Sequence, residues 1–233
     1  MLTPLPPPPS ADVEVFVFDV CDTLFYSNTT FDYLRYVLVK KGLRSRQRVL
    51  QLLTKRWSPA YLGLAVWQKL TGTDATKAAA LRLLAGLPKT ELYSLGQRFR
   101  EEFLGERRIA QTHALLAGLA DTHVRVVLLS ASLDPIVAAI AEALGVEFKS
   151  SELEYDAQGR CTGRLRYELG GQKHHALTAL AGPDSAPRLA VATDNFTDHQ
   201  LVARATSRYV VVHRPEAKRF WQDLDPYFIE AYS

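Results

Sequence analysis

Asp19 closes an apolar run and opens the string Asp19-Val20-Cys21-Asp22-Thr23-Leu24. A second apolar run ends in Leu129-Ser130-Ala131-Ser132, Lys173 opens a helical stretch, and a third run ends in Thr193-Asp194-Asn195-Phe196-Thr197-Asp198. A carboxylate at such a position can attack an electrophilic phosphorus or carbon and form a covalent intermediate. Its own charge repels a phosphate dianion, so a cation has to offset it. Mg2+ between Asp19 and Asp194 would do so, because hard oxygen ligands suit a hard cation. The Lys173 ammonium and the Ser130 hydroxyl would then hold the oxygens of the transferring group. Carboxylates in such places are costly unless they are paired or bind metal.

These residues act together only if the chain brings them to one edge. Residues 13–18, 124–129, 188–192 and 208–212 are short, β-branched and nearly continuously apolar, the pattern of strands buried on both faces. Helical patterns follow them at Asp134–Leu144, Lys173–Ala181 and 197–205. The alternation predicts an α/β fold with a doubly wound parallel sheet and helices on both faces. Ligands of such sheets sit beyond the carboxyl ends of the strands, where all four segments fall.

Residues 27–106 contain no strand-like segment. Leu34, Val37 and Leu38, then Leu50, Leu53 and Trp57, recur at helical spacing, and Gly42, Pro59, Gly72 and Pro88 punctuate the stretch. It reads as an inserted helical subdomain. Residues 152–155 and 164–168, separated by 156–160, predict a β-hairpin with a Gly-containing loop. Residues 1–10 form a proline-rich, flexible lead-in without the features of a signal peptide.

In this order, the four segments resemble the four motifs of the haloacid dehalogenase-like hydrolase superfamily. The stretches Ser130-Ala131-Ser132, Ala143-Leu144-Gly145-Val146 and Gly159-Arg160-Cys161-Thr162-Gly163 are similar to its phosphoserine phosphatase-like branch. The resemblance implies a Rossmann-like core over 11–26 and 107–233 and a type-one helical cap over 27–106. It also implies Mg2+-dependent hydrolysis of a small phosphorylated metabolite through an aspartyl-phosphate. Asp19 would be nucleophile and metal ligand, the Cys21 backbone carbonyl and Asp194 the other protein ligands, and Asp198 and Asn195 supporting residues. Ser130, Ala131 and Lys173 would bind the phosphoryl group. Thr23 would fix the first turn and join the phosphate-binding set.

The chain departs from the family's phosphatase pattern at Cys21, where a second aspartate usually protonates the leaving alcohol. A thiol of pKa about 8.5 is a poor substitute for that group. Three readings follow: a hydrolase for a phosphate with a good leaving group, non-phosphate chemistry such as dehalogenation, or a regulatory module that binds without turnover. Asp194 favours a retained metal, which the dehalogenase branch does not use. Asp22 is expected to satisfy backbone donors of its turn instead of acting as the acid. A redox-gated Cys21 is a further possibility, set against a buried inert thiol.

Plainer roles stand beside these. Ser132 or Asp134 would cap the helix that begins near Pro135, His174 and His175 read as surface residues, and Cys161 as structural. Tyr26, Asn28 and Thr29, just after the first motif, are placed to meet substrate. The basic run Lys40, Lys41, Arg44, Arg46 and Arg48 reads as a solvated helix face and not a nucleic-acid site. Two cysteines make no disulfide framework, and a net charge of +3 is ordinary. The lack of a disulfide framework makes a reducing cytoplasm the expected compartment, and no apolar stretch approaches the ~18 residues of a membrane span. The aromatic C-terminus, from Phe220 to Tyr232, would dock on the core or form a homodimer or partner contact.

Overall fold

β1 (Val15–Phe18) is buried along its whole length, with Val15 and Val17 in the core on one face of the sheet and Phe16 and Phe18 in the core on the other. This two-sided burial explains the unbroken apolar run. The structure is a computed structural model, and it describes residues 5–55, 58, 74–181 and 188–232. Trp57, Pro59 and Gly72 of the sequence reading lie outside the described residues.

After β1 come α1 (Thr29–Lys40), α2 (Arg44–Thr54), α3 (Ala75–Leu81), α4 (Lys89–Phe99) and α5 (Ala110–Ala117). The chain then enters β2 (Arg125–Leu133), α6 (Asp134–Leu144) and the antiparallel pair β3 (Glu147–Tyr155) and β4 (Cys161–Tyr167). It closes with α7 (Lys173–Ala181), β5 (Leu189–Thr193), α8 (His199–Ala203), β6 (Ser207–Val212), α9 (Lys218–Trp221) and β7 (Tyr227–Glu230). The sheet order is β4-β3-β2-β1-β5-β6-β7, parallel except for β4 at the edge. This is the predicted doubly wound α/β fold. The chain works outward from β1 in one direction and then in the other, so the order reverses beside β1.

Several local expectations change. β2 continues to Leu133 instead of stopping at Leu129, so Ser130 to Ser132 belong to the strand. The expected helix over 197–205 is a tight turn at Phe196–Asp198 followed by the short α8. Neither Ser132 nor Asp134 caps α6. The Asp134 carboxylate accepts from Leu153 N and Tyr93 Oη instead, and Ser132 faces Thr29 and Thr30. The aromatic tail docks: Trp221 is fully buried and 227–230 add the strand β7, while Phe220 and Tyr232 stay exposed. Residues 5–10, expected to be flexible, lie against the core, with Tyr209 Oη donating to Pro7 O at 3.0 Å. In the basic run, Lys40 pairs with Glu102, Lys41 with Glu91, and Arg46 donates to the Leu83 and Ala85 carbonyls.

The hairpin grips the helical insert. Gly86 N donates to Cys161 O, Cys161 N to Leu87 O and Lys89 N to Gly159 O, each at 2.8 Å. Gly163 makes this approach possible: a Cβ there would meet Arg82 Cα at 2.7 Å, and its φ of +77° is one that a side chain would resist.

Candidate active site

Parallel pairing of β1 with β5 sets Phe18 beside Ala192. One residue on, Asp19 leaves the sheet with its N–H still donating to Ala192 O at 2.9 Å. Its Oδ1 accepts from Val20 N and its Oδ2 from Lys173 Nζ, both at 2.6 Å. Lys173 comes from the first turn of α7 and also donates to Asp198 Oδ2 at 2.7 Å, an atom that accepts from Thr193 Oγ1 as well. Asp19, Lys173 and Asp198 are all buried. Burial alone would push the Lys173 ammonium down, but the two carboxylates hold it above its ordinary value. Asp198 is itself raised, by burial, with Lys173 opposing.

Asp194 follows β5 and is clasped by Thr23. The Thr23 hydroxyl donates to Asp194 Oδ1 and accepts from Asp194 N, each at 3.0 Å. Burial, then the charges of Asp19 and Asp22, push the Asp194 carboxyl up to about 8. Burial contributes most, and the neighbouring carboxylates add to it against the opposing Thr23 hydrogen bond and Lys173 charge. Oxygen donors under mutual repulsion fit a hard divalent ion. The described residues hold no group of three His, Cys, Asp or Glu side chains arranged for a metal.

A cavity of about 360 Å³ lies over these strand ends, lined by Asp19, Cys21, Ser130, Ala131, Asp194 and Asn195 among others. Of the other residues singled out in the sequence, Asp22, Asn28 and Ser132 also line it. Lys173, Thr23 and Asp198 do not line it. Lys173 donates to Asp19, Thr23 to Asp194, and Asp198 accepts from Lys173, so they position Asp19 and Asp194 from behind. Asn195 also braces its own turn, its Oδ1 accepting from Thr197 N at 3.0 Å. Tyr26 lines a different cavity with Asp22, Asp32 and His213, and Asn28 caps α1 by accepting from Phe31 N.

Cys21 is half-buried, and its Sγ lies 2.7 Å from Thr29 Oγ1, which in turn lies 2.7 Å from Ser132 Oγ. Ser132 N donates to Ser130 Oγ at 3.3 Å. The thiol is thus tied through the start of α1 to β2. Burial and then the Asp19 charge push it up to about 11. His174 and His175 pack edge to face, with His175 exposed, and Cys161 is a buried free thiol.

Sequence reasoning missed Lys77. It sits in alanine-rich α3, where a lysine ordinarily marks a solvated face, yet it is buried and lines the cavity. Its Nζ donates to Ala131 O at 2.9 Å and to Glu168 Oε2 at 2.8 Å. Burial would raise the Glu168 carboxyl, but Lys77, with Gly170 N and Ser151 Oγ, holds it below its ordinary value. No local signal distinguishes Lys77, because its partners are distant in sequence.

The haloacid dehalogenase-like hydrolase family model matches residues 16–203, and the chain belongs to that family. No curated protein matches the sequence. Solved structures agree in fold. A protein of unknown function from Bordetella pertussis Tohama I superposes with a TM-score of 0.76 at 19% identity, covering 94% of this chain and 99% of that one. A probable phosphoserine phosphatase from Vibrio cholerae gives 0.57 at 15% identity, over 90% of this chain and 61% of that one. Cytosolic 5'-nucleotidase IIIB bound to cytidine gives 0.60 at 11% identity, over 95% and 81%. At these identities the likeness is one of fold.

Proposed function

We propose that this chain is a Mg2+-dependent phosphatase of small phosphorylated metabolites, acting through an aspartyl-phosphate on Asp19. The observation that carries the reading is the buried Lys173 ammonium bridging Asp19 and Asp198 at the ends of β1 and β5. A cation held there pairs with the Asp19 carboxylate and fixes its orientation, as a nucleophile requires. Mg2+, when bound by Asp19, Asp194 and the Cys21 carbonyl, offsets the charge of the phosphate dianion.

A carboxylate oxygen of Asp19 attacks phosphorus near in line, and the bond to the leaving oxygen breaks with its electron pair. Ser130 Oγ and the β2 backbone beside it hold the phosphoryl oxygens. Water then attacks phosphorus, its proton passes to solvent, and the bond to Asp19 breaks to release phosphate. The helical cap, residues 27–106 in this reading, excludes water during the first step.

Cys21 supports a second reading, in which the chain binds a phosphorylated ligand without turnover. Its thiol is engaged with Thr29, so the leaving oxygen meets no carboxylic acid at that position.

The deciding experiment follows phosphate release from a panel of phosphorylated metabolites, with and without Mg2+, for wild type, Asp19→Asn and Cys21→Asp. Mg2+-dependent release by wild type that vanishes in Asp19→Asn is expected. Silence from wild type with activity gained in Cys21→Asp would select the binding reading.

A further inference from the structure

A separate cavity of about 390 Å³ opens where α4 and the start of α6 meet β3 and β4, and it shares no lining residue with the cavity over Asp19. Its hydrogen-bonding groups are not balanced. The acceptors are met from within: Asp134 by Leu153 N and Tyr93 Oη, and Glu152 by the Arg166 guanidinium. The donors are not. The Lys89 ammonium stands 5.5 Å from the centre of the Tyr93 ring and 5.3 Å from that of Tyr155, and it has no carboxylate partner among the described residues. Ser150 and Tyr155 also line the cavity, and their buried hydroxyls have no hydrogen-bond partner.

Buried hydroxyls are ordinarily paired, so this pair in one wall marks a missing acceptor. Burial pushes the Tyr155 phenol up, which keeps its proton in place for donation. Both oxygens are closed to solvent. An occupant must therefore draw them out, by a rotamer change at Ser150 and a tilt of the Tyr155 ring, and neither loses a bond in turning. An unmatched ammonium beside two hydroxyl donors suits a carboxylate, which brings a single charge and a pair of acceptor oxygens. Phe148 and Leu153 add apolar wall for the rest of such a ligand. Small-molecule pockets commonly span about 300–1,000 Å³, which places this one at the small end.

We propose that this cavity is a binding site for a small organic monocarboxylate, distinct from the site at Asp19, with the carboxylate received by Lys89, Ser150 and Tyr155 and the apolar body lying along Phe148 and Leu153. The inference does not rest on the phosphatase reading. The occupant would touch α4 of the helical insert and both strands of the hairpin, beside the bond from Lys89 N to Gly159 O, and would fasten the two together.

The probes are benzoate and butyrate, with benzamide and butyramide as uncharged counterparts, titrated by calorimetry into the full chain in metal-free buffer at constant ionic strength. At least one carboxylate should bind wild type about tenfold or more tightly than its amide. It should also shift the amide NMR signals of Lys89, Ser150 and Tyr155. Ser150→Ala/Tyr155→Phe removes only the unpaired hydroxyls, so it should be as stable as wild type yet bind that carboxylate about tenfold more weakly. Lys89→Gln should erase the preference for carboxylate over amide, and Asp194→Ala should bind as wild type does. No carboxylate binding by wild type, or equal binding of the amides, would overturn the proposal. So would binding that is lost in Asp194→Ala, or that survives undiminished in both Lys89→Gln and Ser150→Ala/Tyr155→Phe.

Discussion

The Thr23 hydroxyl both donates to the Asp194 carboxylate and accepts from the Asp194 N–H, closing a two-bond clasp between residues from opposite halves of the chain. It fixes the carboxylate assigned to metal before any ligand arrives. Thr23→Val keeps the shape and removes both bonds, leaving a buried N–H without its acceptor. The expected loss is about 1–3 kcal/mol in urea unfolding. Thr23→Ser should recover most of it. A Thr23→Val protein as stable as wild type would mean that the clasp is dispensable.

Lys173 stands between two buried carboxylates, so removing it strands both. Lys173→Met should destabilise the fold by about 3–5 kcal/mol, the range for a buried pair broken from one side. Asp198→Asn in the Lys173→Met background should return part of that loss, because one stranded charge is then removed. Strict additivity of the two substitutions in denaturant melts would contradict the bridge.

Metal binding has a readout independent of turnover. If Asp19, Asp194 and the Cys21 carbonyl hold Mg2+, the ion should raise the melting temperature of wild type, by about 2.7 kcal/mol of stability at a hundred times Kd. Asp194→Ala should abolish that rise. Equal Mg2+ stabilisation of both proteins would place the ion elsewhere.

Glu102 provides a pH test away from the site. Lys40, Tyr36 and Arg98 hold its carboxyl down at about 2, against an ordinary value of 4.5. A depressed carboxyl contributes stability that is fully present above about 4.5 and disappears as pH falls towards 2. The group is exposed, so the effect is small and weakened by salt. Glu102→Gln should therefore differ from wild type in unfolding midpoint at pH 6 and converge with it near pH 2. Parallel curves across that range would sink the assignment.

Gly163→Ala places a methyl group 2.7 Å from Arg82 Cα in a backbone conformation that alanine resists. A loss of about 1–3 kcal/mol is expected from the crowding. Faster amide exchange should appear at Gly86, Cys161 and Lys89, the donors beside it. Unchanged exchange at those amides would show that the contact tolerates a side chain.

The parts of this fold that were legible from sequence are those in which one local pattern decides the outcome. Continuous apolarity located β1 and β5, and helical spacing gave Asp134–Leu144 and Lys173–Ala181 with their observed bounds. What escaped was decided by partners far along the chain. Ser132 and Asp134 look like helix caps until Thr29 and Tyr93 engage them. Residues 227–230 read as an aromatic tail because only the edge of β6 makes them a strand. Lys77 gave no signal until Glu168 and Ala131 came beside it.

The backbone bonds between the hairpin and the helical insert also bear on the order of synthesis. Arg160 and Gly86, joined there by a further side-chain bond, are 74 residues apart in sequence. The insert therefore leaves the ribosome long before the strand that fastens it exists. Until residues 159–161 emerge, the nascent chain carries its helices with no latch, and the apolar surfaces beneath them stay open to other proteins. A chain arrested just short of Cys161 should accordingly be a far stronger client for chaperones than one arrested a few tens of residues beyond it.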